Sequence, residues 1–167
     1  PFDISQRYGV SQAVFYPEDL MYAKGTIRHI VYKNSFSSSK LEKPIRIWLG
    51  ETDKQDLSEG WISTENMKEV YNGNIAFVNG INDVPVELAE PYEYTGKNLV
   101  VVMTMDYSQG NGGYFDRFFI EQTPDKPKRT RSYMSYEPID NSMLTESTGG
   151  LYDAMLMTRF VMNTKDA

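Results

Sequence analysis

The chain has 167 residues and a formal net charge of −6 at pH 7, and it is 40% apolar and 24% charged. This balance is typical of a folded domain, and the acidic excess argues against a general nucleic-acid binder, which needs surplus positive charge to neutralise phosphates. The chain has no Cys and one His, which excludes thiol nucleophiles, disulfides and zinc–cysteine sites. No apolar run approaches the ~18 residues of a membrane helix, so we expect no membrane span.

Aromatic residues make up 13% of the chain, and such residues favour the half-buried surface of a sheet. Short apolar runs separated by turn-forming residues predict an all-β fold: an antiparallel β-sandwich of jelly-roll type, with about nine strands in a single domain over residues 1–167. In chain order, the predicted strands cover residues 10–16, 25–32, 45–49, 69–78, 84–88, 98–107, 115–122, 130–136 and 154–163. Short helical turns are predicted at residues 17–21 and 63–68, and residues 137–150 are predicted to form a long connection.

Two of these strands carry more specific information about the sheet. Residues 45–49 alternate strictly, which places Ile45, Ile47 and Leu49 on one face. Residues 98–107 contain a continuous apolar run, which indicates burial on both faces and therefore a central position.

Turn-forming residues inside two other strands make further predictions. Pro85 cannot donate a backbone hydrogen bond, so residues 84–88 are expected at a sheet edge or to begin there. The run Asn72, Gly73 and Asn74 is a hairpin or bulge signal within residues 69–78.

Catalytic and metal-binding interpretations find limited support. His29 has no nucleophile motif beside it, so a strand histidine at the sandwich surface is the simpler interpretation. Asp106 or Asp116 paired with Glu121 is the best candidate for a hydrolase, although an acidic chain brings some carboxylates together by chance. Asp106 and Asp116 are also candidate ligands of Ca²⁺, which prefers oxygen ligands; no other cofactor is expected.

One basic cluster stands out in this acidic chain. It could attract an acidic glycan or the surface of a partner, but a solvated loop is the simpler explanation. Its members are Lys126, Lys128, Arg129 and Arg131.

Aromatic side chains in or beside turns are the remaining candidates. Trp61 follows a turn, and Tyr107 and Tyr114 flank a Gly-rich loop. Rings held on the loops of a rigid sandwich can stack against sugars, although rings in these positions also cap the ends of a core.

Several segments resemble a known module when they are taken together. The sequences GTIRHIVY and IRIWLGET, at residues 25–32 and 45–52, are similar to the pattern G-x-I-x-x-I-x-F … I-x-I-Y-L-G-E-T, and residues 91–101 are similar to P-F-x-Y-x-G-x-x-N-L-v-v. These patterns belong to a β-sandwich accessory module, of jelly-roll type, that recurs in secreted and surface proteins of Bacteroidetes. The resemblance covers residues 8–121 and implies no catalytic residue and no agreed ligand.

The resemblance and the site candidates together give three functional hypotheses. The first is a non-catalytic, extracellular or cell-surface binding or adhesion module, excised from a larger exported protein. Its expected partners are a glycan, through Trp61, Tyr107 and Tyr114, or a host or bacterial surface protein. The second is a structural spacer that positions neighbouring domains of the same chain. The third, ranked well below both, is a hydrolase.

Overall fold

The computed structural model of the protein describes residues 8–37, 41–106, 117–122 and 128–164, and the structural statements below refer to this part of the chain. No helix within these ranges is long and apolar enough to span a membrane. The strands are β1 (Tyr8–Phe15), β2 (Gly25–Phe36), β3 (Leu41–Thr52), β4 (Lys68–Phe77), β5 (Gly80–Tyr94), β6 (Asn98–Asp106), β7 (Arg117–Phe118), β8 (Ile120–Gln122), β9 (Thr130–Ser135), β10 (Gly150–Tyr152), β11 (Ala154–Leu156) and β12 (Thr158–Thr164). Two 3-10 turns cover Pro17–Leu20 and Asn141–Met143.

The strands form antiparallel sheets, which confirms the predicted all-β fold. The large sheet has the order β10-β9-β1-β6-β3-β4, and the small sheet has the order β12-β2-β5 with β7 also paired to β2. Strands β8 and β11 form a separate pair. Twelve strands are present in the described residues, against about nine predicted. Residues 115–122 and 154–163, each predicted as one strand, contain β7 and β8 in the first case and β11 and β12 in the second, and β10 was not predicted.

The main core lies between the large and small sheets, and alternation along each strand builds it. As predicted, Ile45, Ile47 and Leu49 are buried together on one face of β3. Strand β6 is central, between β1 and β3, and its two faces are both buried. The edge position predicted from Pro85 is also confirmed, because β5 pairs with β2 alone among the described strands. The β6 side chains in the main core are Leu99, Val101, Met103 and Met105.

One local prediction is wrong, and another is met only in part. Residues 72–74 form no hairpin, because β4 runs through them in continuous pairing with β3. The register shift lies elsewhere: Ile47 faces Tyr71 and Trp48 faces Glu69, so Val70 is the extra residue. Residues 63–68 form no helix but a single turn, closed by the Met67 N–H donating to the carbonyl oxygen of Thr64 at 3.0 Å. The turn predicted at residues 17–21 is present as the 3-10 turn Pro17–Leu20.

Lys43 is buried on β3, beside Ile75 of β4. Burial removes water from its ammonium group and lowers its pKa from the ordinary value of 10.5. Between the lowered pKa of the folded chain and 10.5, the unfolded chain binds more protons than the folded chain. The contribution of Lys43 to the stability of the fold therefore rises with pH across this window.

We expect Lys43→Met to remove this alkaline gain in stability. The measurement is the urea midpoint of wild type and variant at several pH values between about 8 and 10. The exposed Lys128→Met is the control, and it should follow the wild-type curve. Both variants keep all the tyrosines, so a difference between their stability curves is due to Lys43. Parallel curves for Lys43→Met and wild type would contradict a lowered pKa of Lys43.

Candidate functional site

The outer face of the large sheet, on the side away from the small sheet, is covered by two connections. Loop A (residues 53–67) joins β3 to β4, and loop B (residues 136–149) joins β9 to β10. They enclose a second apolar cluster, built on side chains that alternate with those of the main core. Its buried members are Val10, Val14, Tyr16, Leu57, Val100 and Val102.

Hydrogen bonds from Gln12 of β1 and from Tyr16, the residue that follows β1, fix loop A on the sheet. The Gln12 side chain is buried and acts as a clamp: its Nε2 donates to the carbonyl oxygen of Ile62 at 2.7 Å, and its Oε1 accepts from the Ile62 N–H at 2.8 Å. The Tyr16 hydroxyl donates to the carbonyl oxygen of Gln55 at 2.6 Å. Loop A is therefore held at two points, Gln55 and Ile62, and the Gln12 clamp fixes the backbone beside Trp61.

Arg131 of β9 joins the two loops. Its guanidinium is 4% exposed and donates to four carbonyl oxygens, those of Leu57 at 2.6 Å, Glu146 at 2.9 Å, Ser58 at 3.3 Å and Thr148 at 3.4 Å. Two of these lie in loop A and two in loop B. Arg131 thus gives carbonyl groups of both loops a hydrogen-bond donor that is held on the large sheet.

Arg129, two residues before Arg131, is also buried. It is 3% exposed, forms an ion pair of 2.8 Å with Asp19, and lies 4.2 Å from the ring centroid of Tyr16. The solvated loop expected for the basic cluster is therefore wrong for Arg129 and Arg131, which are buried structural groups. Lys128 is exposed as expected, and Lys126 lies outside the described residues.

Two tryptophans that are distant in sequence line one groove on this face. Trp61 of loop A is half-buried, and its indole N–H donates to the carbonyl oxygen of Thr148 in loop B at 3.2 Å. Trp48 lies on the outer face of β3, also half-buried, with the Arg46 guanidinium 4.6 Å from its ring centroid. Arg46 in turn forms a 2.6 Å ion pair with Glu69.

We call this concavity, of about 610 Å³, the outer groove. Strand register explains its floor: Gln12, Val102 and Trp48 lie side by side across β1, β6 and β3, and Val10, Thr104 and Arg46 form the next row. Loops A and B form its walls. The remaining lining includes Tyr8, Ile62, Ser63, Thr64, Glu65, Asp106, Pro138, Ile139, Asn141 and Leu144.

Of the residues predicted to bind ligands, the structure places Trp61 and Asp106 in the outer groove. Asp106 is exposed at the end of β6. Tyr107, Tyr114 and Asp116 lie outside the described residues.

The hydrolase hypothesis paired Asp106 with Glu121, and these residues lie on different sheets. Glu121 is exposed on β8, opposite Met155 of β11, whereas Asp106 ends β6 of the large sheet. His29 lies half-buried on β2, with Glu87 and Val161 as its strand neighbours. In the described part of the chain, no three His, Asp or Glu side chains are grouped so that they could hold a metal ion; Ca²⁺ binding stays a prediction.

The sequence prediction missed Trp48, although the signal was present. In a strand whose odd-numbered positions are apolar and buried, an aromatic side chain at an even position must lie on the opposite face. Its position in the outer groove depends on loops A and B, which come from different parts of the chain.

Comparison of the sequence with protein-family models and with curated proteins finds no match. The likeness to a Bacteroidetes accessory module therefore stays a prediction.

Proposed function

We propose that the chain is a non-catalytic binding module of an exported or cell-surface protein, and that the outer groove binds an oligosaccharide. The observation that carries this proposal is the pair Trp48 and Trp61, which line one open groove from a strand and from a fixed loop. Sugars present C–H faces that stack on indole rings. Rings held in place before binding lose little conformational freedom when a ligand arrives.

Polar groups beside the two rings suit the hydroxyl groups of a sugar. Thr104, Asp106, Asn141 and Glu65 all line the groove, and the last three are exposed. Carboxylate and amide oxygens accept hydrogen bonds from hydroxyls, and the Asn141 amide can also donate. An apolar platform with a few polar groups at its margin is the usual composition of a small-molecule site.

Trp48→Ala tests the proposal, because Trp48 makes none of the hydrogen bonds that fix the loops. The measurement is affinity electrophoresis against a panel of soluble polysaccharides, followed by calorimetry on any that bind. We expect binding to weaken about 30-fold, since a central tryptophan anchor contributes about 2 kcal/mol.

The control for this experiment is Tyr136→Ala, which removes a ring that is 69% exposed and does not line the groove. It should bind like wild type. If Trp48→Ala binds a polysaccharide as tightly as wild type does, the binding site lies outside the outer groove. If wild type binds no polysaccharide of the panel, the proposal is contradicted.

One observation favours the spacer as a second candidate function. Met21 and Tyr22 are 85% and 72% exposed and lie in the connection that leads to Gly25, which pairs with Thr164 near the end of the described chain. An exposed apolar pair there suits a docked neighbouring domain. Hydrogen exchange measured with this chain alone and within a longer chain that contains it tests this: a spacer should gain protection at residues 21–22.

A further inference from the structure

A second cleft lies on another side of the sandwich, between the edge strands β4 and β5. Within the described strands, β4 pairs with β3 alone and β5 pairs with β2 alone. The cleft between them has a volume of about 410 Å³. It belongs to neither the outer groove nor loops A and B, because the two sets of lining residues share no member.

Asn34 of β2 lies at this cleft, and it is a buried polar group. Its side chain is 0% exposed, and its Nδ2 donates to the carbonyl oxygen of Val78 at 3.4 Å. Its Oδ1 has no hydrogen-bond partner among the described residues. If the amide group were turned over, its Oδ1 would face the carbonyl oxygen of Val78, and two acceptors would meet. The unpaired atom of Asn34 is therefore the acceptor Oδ1. A buried acceptor of this kind requires a donor.

The other lining residues favour a donor that is a cation. Among the described residues, no Lys, Arg or His lines the cleft, whereas the acidic residues Asp83 and Glu87 do. Tyr71 also lines it and presents an aromatic ring, the type of surface that attracts ammonium groups. The apolar side chains of Ile75, Val84 and Val86 can accommodate a short hydrocarbon chain.

We propose that this cleft binds a primary alkylammonium group, with Asn34 Oδ1 accepting a hydrogen bond from it. The charge of Asp83 and Glu87 favours the cation over an anion of the same shape. Two sources supply this chemistry, a free small amine and the lysine side chain of a partner polypeptide. The proposal is independent of sugar binding in the outer groove.

Titration of isotope-labelled protein followed by NMR tests the proposal. The probes are butylammonium, butanol and butyrate, which have similar size and different charge. We expect butylammonium alone to cause saturable shifts of the Asn34 side-chain amide and of the Ile75, Val84 and Val86 methyl groups, at about millimolar concentration. Equal effects of butanol and butylammonium, or no saturable shift with butylammonium, would overturn the proposal and leave solvent as the partner of Asn34.

Two variants sharpen the result. Asn34→Leu should weaken butylammonium binding at least about tenfold, because it removes the acceptor, and Asn34→Asp should strengthen it by a similar factor through a charge-assisted hydrogen bond. Asn72→Leu, an exposed position on β4 outside the cleft, is the control and should bind like wild type. If Asn34→Leu does not fold, Asn34→Asp and the three probes still test the proposed ammonium site. Unchanged butylammonium binding in Asn34→Asp would contradict a hydrogen bond between residue 34 and the cation.

A short extended peptide with one lysine, compared with butylammonium, distinguishes the two sources of the cation. Tighter binding of the peptide, with shifts along the β5 backbone, identifies a partner polypeptide. Equal affinity identifies a free amine. Either result supports the ammonium site. If the peptide and butylammonium do not displace each other in a competition titration, they do not share a site, and the proposal is contradicted.

Discussion

Arg131→Met is expected to lower the free energy of unfolding by about 4 kcal/mol and to release loops A and B from the large sheet. The substitution keeps much of the volume and removes a guanidinium that donates to four carbonyl oxygens. Hydrogen bonds from a charged donor contribute about 1.5–3 kcal/mol each, and the two shortest, to Leu57 and Glu146, account for about 4 kcal/mol. The measurement is urea unfolding, read by far-UV circular dichroism and by tryptophan fluorescence.

Tryptophan fluorescence distinguishes release of the loops from a general loss of stability. Trp61 is joined to Thr148 by a hydrogen bond, so we expect its environment to become more polar even in the folded variant. Arg159→Met is the control, because Arg159 is exposed on β12, and its effect should lie within about 0.5 kcal/mol of wild type. An equal loss in the two variants would show that the contacts of Arg131 do not hold the loops.

Asp19→Asn is the second substitution with a large expected effect. It keeps the shape of the side chain but leaves the buried Arg129 guanidinium without its negative partner, 2.8 Å away. Breaking a buried ion pair at one partner costs about 3–5 kcal/mol, because the remaining charge is uncompensated. Asp19 is partly exposed, so we expect a value near 3 kcal/mol in urea unfolding.

The control for this substitution is an exposed ion pair. Asp53 lies 3.6 Å from Lys97, and these side chains are 91% and 61% exposed. Asp53→Asn should therefore change the stability by less than about 0.5 kcal/mol. If the two Asp→Asn substitutions cost the same, the guanidinium of Arg129 is solvated in solution, contrary to the structure.

Much of the sandwich could be predicted because its strongest signals are local. Alternation identified the buried face of β3, a continuous apolar run identified β6 as central, and Pro85 identified an edge strand. The turn signal at residues 72–74 failed for a non-local reason. Continuous pairing with β3 extends β4 through these residues, and the partner strand overrides a local turn preference.

The site could be predicted only in part, because loops from distant parts of the chain assemble it. Trp61 was identified from its position beside a turn, whereas Trp48 lines a groove only because loops A and B form walls beside it. Arg129 and Arg131 looked like a solvated charge cluster. Their alternate positions place both on one side of the chain, but their partners on loops A and B and at Asp19 cannot be predicted from spacing.

The pairing of distant strands has a consequence for how the chain acquires its structure. Strand β1 needs β6 and β9 as neighbours, and β2 needs β12, whose last residues pair with the first residues of β2. Contacts between such distant segments carry a large loop-closure cost and make folding slow. Until β12 is synthesised, the side of β2 that β12 covers, from Gly25 to Tyr32, is an unpaired strand edge open to pairing with other chains. Truncation before residue 158 is therefore expected to produce aggregation rather than a smaller sandwich.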